Sequence, residues 1–342
     1  MDIAEPLEKS ISVFEVRPGV TFPDLTVVRT PVARAALADI IKAFGIEKCF
    51  ANYDADQDRV RNSVLRSLAE RGRASEIGEL AEDLLKSGIK AMKIWPFDQF
   101  GTSLGGPVGQ RAGAEAVGPV THYLSKENLK KGISYVEDIR NSVGDKMEIA
   151  IEGHARWNLP EATKIARALE PYDIMWLEEI IPADNIESYA RLKADTIIPL
   201  CVSERLFTRF GFRQVVEANA ADIIMPDMAW TGGLTETRKI CSLADTYYLP
   251  VTSHDCIGPI AVWSATHLML HVPNALVVET VRAFYRGWYN EVMTEPLPVS
   301  DGMISLPDKP GLGTALREEV LDRPDVHLEF SDEQHRYDPS KG

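Results

Sequence analysis

"MEIAIEGHARWNLPEATKIARALEPYDIMWLEE", residues 147–179, decides the fold. Two short apolar runs, "MEIAIE" and "IMWLEE", read as strands. Between them "LPEATKIARALE" has helical spacing of apolar residues, with Pro160 near its first turn. A strand, helix and strand of this length join neighbours in a parallel sheet. Both strands end on an acid, Glu152 and Glu178, 26 residues apart, and that interval returns. Glu178 to Glu204 spans 26 residues, Glu204 to Asp227 spans 23, Asp227 to His254 spans 27 and His254 to Glu279 spans 25. Each step is the length of one βα unit, so "AMKIW", "IPLCVSE", "DIIMPD", "LPVTSH" and "ALVVET" are expected as further strands, with "KCFANYD" before them as the first. "GLTETRKICSLADTY" is expected as a helix started by Gly232 or Thr235. Repeated βα units close into a (β/α) barrel of the TIM type, whose strand C-termini share one rim where active sites lie. The polar strand ends therefore converge.

Composition narrows the partners. The 342 residues, 45% apolar with mixed charge, are those of a globular chain of one large domain or two ordinary ones. A net charge of -14 argues against nucleic acid or an anionic membrane as partner. No apolar run is long enough to span a bilayer, and "MDIAEPLEKS" lacks the basic start and apolar segment of a signal peptide, so a cytoplasmic protein is expected. Cys49, Cys201, Cys241 and Cys256 are scattered, which fits buried free thiols rather than zinc or disulfides. "FDQFGTSLGGPVGQRAGAEAVGPVTHYLS", residues 97–125, reads as a long loop, either a lid over substrate or a disordered insertion. "TGGL" at 231–234 is a tight turn before a helix, and no nucleotide-binding glycine fingerprint occurs.

Glu152, Glu178 and Glu204 would stand side by side on the rim. A single such acid is ordinarily a helix cap or a surface ion pair, but three held together repel unless a cation lies between them, and a hard divalent ion, Mg²⁺ first, suits three carboxylates. Glu179 points the other way along its strand, as a supporting acid. Asp227 and His254 end successive strands and could pair, the carboxylate orienting the imidazole as a general base; the alternative is a histidine of the core or a turn. Glu279 comes one strand later, either within reach of substrate or merely capping its strand. Lys93, with Trp95 two residues on facing the same space, could stabilise negative charge on an oxygen, act as a base if its pKa is depressed, or simply be solvated. Lys90 reads as surface. His154 shares a face with Glu152, and its best use is to exchange a proton with substrate; a fourth metal ligand or a structural histidine are the alternatives. Trp95, Arg156 and Arg205 are assigned to substrate binding. His122, His267, His271, His327 and His335 receive no role.

The order of Lys93, the three acids, then Asp227 and His254 resembles the mandelate racemase branch of the enolase superfamily. "EGHARWNLPEATKIARALEPYDIMWLEE", "SERLFTRFGFRQVVE", "MPDMAWTGGLTE" and "SHDCIGPIAVWSA" are similar to its acid-sugar dehydratases, galactonate dehydratases most of all. The resemblance covers roughly residues 75–315. It implies Mg²⁺-dependent dehydration of a sugar acid to a 2-keto-3-deoxy acid, through loss of the α-proton to an enediolate and departure of a β-hydroxyl. By matching positions, Glu152, Glu178 and Glu204 are the metal ligands, His254 with Asp227 is the base, Glu279 hydrogen-bonds the enediolate, and His154 donates the proton that lets the hydroxyl leave. Trp95 stands where racemases of the branch carry a second lysine, which favours dehydration over two-base racemisation; Glu152 stands where an aspartate is usual, which implies an ion displaced by about the length of a methylene. Members carry an α+β capping domain before the barrel. Here about 45 residues precede "KCFANYD", so a shortened or missing cap is expected, with 1–45 its remnant, 46–318 the barrel and 319–342 an extension. A homo-oligomer is expected, and the aromatics of "RAFYRGWYNEVM" are read as exposed, at an interface or beside substrate. An epimerase or cycloisomerase of a hydroxy acid, and a silent sugar-acid-binding protein, are the competing readings.

Overall fold

The computed structural model describes residues 76–100, 102–103, 106–107 and 123–323. The expected cap remnant, the strand "KCFANYD", Cys49, His122 and the tail with His327 and His335 lie outside the described residues. The described residues up to Ala315 belong to one compact unit; Leu316 onward belongs to a second, of which the short helix Glu318–Leu321 is described.

Seven strands form one sheet: β1 (Ala91–Ile94), β2 (Glu148–Glu152), β3 (Trp176–Glu178), β4 (Leu200–Val202), β5 (Ile223–Ile224), β6 (Val251–Ser253) and β7 (Ala275–Val278). They lie in sequence order, every pair parallel. Helix α1 (Glu76–Lys86) precedes β1; α2 (Lys126–Val143), α3 (Leu159–Leu169), α4 (Ile186–Asp195), α5 (Thr208–Glu217), α6 (Gly233–Asp245) and α7 (Pro259–His271) follow the strands in turn. The expected βα repeat is therefore the architecture. Within residues 97–125, a hairpin pairs Thr102–Ser103 with Gly106–Pro107.

Local chemistry starts the helices where the sequence implies. Ser125, Asn158 and Asn185 each accept a hydrogen bond from the backbone N–H three residues on, capping α2, α3 and α4. Pro160 sits in the first turn of α3. Helix α6 begins after Gly232, whose φ of 121° no other residue adopts readily, so Gly232 rather than Thr235 starts it.

Alternation along the strands separates two cores. Ile149, Ile151, Leu177, Leu200, Val202, Ile224 and Val251 pack with helical residues such as Ile165, Leu169, Leu192, Val215 and Ile240. Ala150, Trp176, Cys201, Ile223 and Met225 form a separate cluster on the inner face. Each fully buried Leu or Ile contributes about 1.5–3 kcal/mol.

The sheet curls on itself. Lys93 of β1 reaches Glu279, just past β7, at 2.6 Å, although these strands are the two ends of the row. Arg282 and Arg286, beyond β7, bond Asp83 of α1 and Ser87 just after it. This is the curvature of a (β/α) barrel.

Two expectations change. Cys201 and Cys241 are buried free thiols, but Cys256 is exposed, because it lies beyond β6 on the rim rather than inside a layer. Tyr285 and Tyr289 of "RAFYRGWYNEVM" are buried, at 7% and 2% exposure, because the segment after β7 folds back as the helices Arg282–Arg286 and Tyr289–Val292. Among the described residues no helix is long and apolar enough to cross a membrane.

Candidate active site

Glu152 and Glu178 are the last residues of β2 and β3 and are paired in register. Glu204 lies two residues beyond β4, since Glu178 pairs with Cys201. Equal spacing in sequence thus does not mean equal height in the sheet; the stagger of a curled sheet brings the third acid in from a turn. One oxygen from each of the three lies within 4.8 Å of the others, and all three are buried. Glu178 is held rigidly, accepting from Lys93 Nζ at 2.8 Å and from Trp176 Nε1 at 2.9 Å. Glu152 accepts from the His154 N–H at 2.7 Å and Lys93 at 3.3 Å. Among the described residues Glu204 Oε2 is buried with no hydrogen-bond partner.

These residues fit a divalent cation. Burial, then the charge of Glu178, pushes the Glu152 carboxyl well above the usual range. Burial opposes ionisation of Glu178 too, but Lys93 outweighs it and draws that carboxyl down. Without a cation the cluster therefore resists full ionisation. A hard ion would relieve that resistance and satisfy the orphaned Glu204 oxygen, with Glu152, Glu178 and Glu204 as its ligands.

Lys93 is not the solvated lysine the sequence allowed. Burial acts against its charge, but Glu178, Glu279 and Glu152 more than compensate and hold its pKa well above normal, so it is a fixed ammonium and not a base. Its partner Glu279 also accepts from the Asp255 N–H at 2.8 Å. Across the sheet, Asp227 and His254 bridge β5 and β6 beyond their ends. His254 Nδ1 lies 2.8 Å from Asp227 Oδ2, while Asp227 Oδ1 accepts from the backbone of Ala229 and Trp230. Burial disfavours the imidazolium, but Glu204 and then other neighbours, Asp227 among them, raise the His254 pKa well above 6.5.

The turns after β2 and β3 clasp each other. Gly153 N–H donates to Glu178 O, Ala155 N–H to Glu179 O and Trp157 N–H to Ile180 O. A Cβ on Gly153 would lie 2.8 Å from Ile180 Cα, so only glycine permits the approach. His154, Ala155 and Glu179 hold left-handed φ values of 45°, 55° and 39°, each costing about 1–3 kcal/mol in a residue with a Cβ. The turn thus sets the His154 N–H on Glu152 and its ring against Trp95, edge to face, with the ring centroids 5.0 Å apart. Arg205 donates to His154 O, and Arg156, almost wholly buried, lies 3.4 Å from Asp98.

Glu179 is fully buried, and burial followed by the charge of Glu204 raises its pKa to about 8. A folded value above the unfolded one stabilises below the unfolded pKa and is lost as pH rises through about 8. Glu179→Gln, which mimics the protonated acid, should raise the melting temperature of metal-free protein at pH 9 and leave it nearly unchanged at pH 5. Thermal denaturation at the two values checks this; equal shifts at both would refute it.

Every nominated site residue lies on this rim or in the turns behind it. Sequence reading missed Asp98, Trp176, Trp230 and Asp255. Asp98 sits in the turn after β1, where no strand-end period marks it, yet it lies 2.5 Å from His154 Nδ1. Trp176 was findable, being two residues before Glu178 on the same strand face. Trp230 stacks at 5.7 Å from the His254 ring. Asp255 is buried beside Glu279, and burial, then that charge, drives its carboxyl well above its ordinary range.

A family model described as enolase C-terminal domain-like matches residues 76–320. D-xylonate dehydratase of Haloferax volcanii is 30% identical over 243 residues, 71% of this chain and 57% of that protein. D-galactonate dehydratase of Ralstonia nicotianae is 31% identical over 249 residues, 71% of this chain and 62% of that protein. The chain thus spans less than two thirds of the length of either relative. Among solved structures, an enolase of the mandelate racemase subgroup from Agrobacterium tumefaciens is similar at 41% identity and a TM-score of 0.67, over 75% of this chain and 66% of that one. An enolase protein from Sargasso Sea environmental sequencing is similar at 32% identity and a TM-score of 0.66, over 85% and 76%. A curled parallel sheet, acids at its rim and a family match over most of the length agree: the chain belongs to the enolase superfamily, in its mandelate racemase branch.

Proposed function

We propose that this protein removes water from a sugar acid of the aldonate type, giving a 2-keto-3-deoxy acid. The observation that carries the reading is a buried triad of carboxylates within 4.8 Å of one another, with His154 in the turn that follows Glu152 and a second histidine, His254, paired with Asp227 beyond the ends of β5 and β6. Dehydration needs one group to take a proton and another to give one, and two imidazoles beside one anion-binding centre supply both. Relatives bearing the names of xylonate and galactonate dehydratases support the substrate class.

His254 is the base in this reading. Asp227, tied to two backbone N–H groups, accepts a hydrogen bond from Nδ1–H and leaves Nε2 to take the α-proton. A divalent cation at Glu152, Glu178 and Glu204 would supply the charge that neutralises the substrate carboxylate and offsets the pull of Glu204 on the His254 proton. Lys93, held as an ammonium, steadies negative charge on the substrate carboxylate, and Glu279 beside it contacts the enediolate. His154 gives its proton to the departing β-hydroxyl. Trp95 walls the site next to His154; Arg205 and the buried Arg156 serve substrate binding by bracing the turn that carries it.

Incubation of the protein and Mg²⁺ with a panel of aldonates and aldarates, read by a colour reaction for 2-keto-3-deoxy acids, tests this. A positive aldonate is the expected result. Exchange of the α-proton with solvent deuterium without loss of water would replace dehydration by epimerisation, and neither reaction across the panel would overturn the reading.

A further inference from the structure

The turn after β1 carries an aspartate that no strand-end pattern marks. Asp98 Oδ2 lies 2.5 Å from His154 Nδ1. The other histidine of the site is held the same way, His254 Nδ1 lying 2.8 Å from Asp227 Oδ2. In both pairs the aspartate comes from a different turn than its histidine and engages the same ring nitrogen. We propose that Asp98 is a positioning residue that makes His154 the second His–Asp pair of the site, locking the ring with its proton on Nδ1 and presenting Nε2 as the nitrogen that serves the departing hydroxyl.

Four further contacts argue that this is a built arrangement. His154 N–H is bonded to Glu152 Oε1 at 2.7 Å and its carbonyl to Arg205 at 3.1 Å, so the backbone cannot swing. The ring meets Trp95 edge to face, with centroids 5.0 Å apart. Arg156 Nε lies 3.4 Å from the same Asp98 oxygen, balancing its charge and keeping it from turning to solvent. Among the described residues Asp98 Oδ1 is buried with no hydrogen-bond partner, so there the carboxylate is committed through Oδ2. His154 and Asp98 side chains are 13% and 15% exposed, dry enough for the pairing to resist competition from water. His154 Nε2 has no protein partner among the described residues, which leaves it open to substrate.

The inference rests on the dehydratase reading for its chemistry. With Nδ1–H kept on Asp98, the acid form of His154 carries a second proton on Nε2; this proton passes to the β-hydroxyl, the C–O bond breaks with its electron pair going to oxygen, and water leaves. The enediolate electrons form the C=C bond of an enol, which becomes the keto acid as its carbon gains a proton and its O–H loses one. His154 keeps the Nδ1 proton on Asp98 throughout, so Asp98 itself never changes partner. Without it the ring is free to choose the other tautomer or to rotate, and the leaving hydroxyl loses an aligned donor.

Two measurements test the assignment. In metal-free wild-type protein labelled with ¹⁵N-histidine, the ring nitrogen shifts of His154 should report a proton on Nδ1; a pure Nε2–H tautomer would overturn the proposal whatever the activity. Asp98→Asn should then lose the single Nδ1–H state. With an aldonate that the wild type dehydrates, Asp98→Asn should lower kcat for water loss roughly 10- to 100-fold with KM little changed. Exchange of the α-proton with solvent, which depends on His254, should continue near the wild-type rate, and Asp98→Glu should recover part of the lost kcat. Equal loss of exchange and dehydration would mark Asp98 as merely structural, and an unchanged kcat would remove it from the site. A wild type that neither exchanges nor dehydrates any sugar acid would sink the dehydratase reading instead, with the tautomer measurement still deciding the role of Asp98.

Discussion

His254→Asn is expected to lower α-proton exchange, and dehydration with it, by about 10²–10⁴-fold, the usual contribution of a positioned general base. Asparagine keeps a polar group near Asp227 and the neighbouring Trp230, so packing is little disturbed, but it cannot accept a proton near neutral pH. Because proton removal precedes water loss, both rates should fall together, unlike the split expected for Asp98→Asn. Mg²⁺ binding should survive, since His254 is not among the three clustered carboxylates. Deuterium incorporation measured by NMR, beside the keto-acid assay, decides the matter. Exchange persisting at the wild-type rate would move the base elsewhere, and Lys93 would not be the substitute, because three glutamates hold its proton.

The second large effect concerns the metal. In wild-type protein, Mg²⁺ at about 100 times its dissociation constant should stabilise the fold by roughly 2.7 kcal/mol, provided the unfolded chain does not bind it. Glu204→Gln removes the one ligand whose oxygen lacks any other partner, and with it a unit of negative charge. The Mg²⁺-dependent rise in melting temperature should then disappear, along with activity. The metal-free variant should also melt lower than metal-free wild type near neutral pH, because burial, which opposes the Glu204 carboxylate, is outweighed by His254, Lys93, Arg205 and His154, which favour it. Calorimetry with and without Mg²⁺ separates the cases. An undiminished metal shift in the variant would show that the ion sits elsewhere.

What each residue could reveal from sequence depended on whether its position was set by a local repeat. Glu152, Glu178, Glu204, Asp227, His254 and Glu279 recur at the interval of one βα unit, and backbone geometry alone sends such residues to one rim. The (β/α) architecture and the convergence of the acids were legible for that reason. Register was not: Glu204 reaches the triad from beyond the end of β4, a stagger that comes from the curl of the whole sheet. The state of Lys93 was not legible either, since a lysine at a strand end reads as solvated, as a base or as a stabiliser of negative charge until Glu279 is brought to it from the far end of the row. Asp98 was hidden most completely, because a turn residue has no period and its partner His154 lies 56 positions on. Sequence by itself determined the order of elements and the chemistry on offer at their ends, through periods of two and 3.6 residues and the length of a βα unit. Which groups touch, and so which hold charge and which move a proton, was decided only by the tertiary structure, because Coulomb and hydrogen-bond energies depend on distances of a few ångströms between residues that the chain keeps far apart.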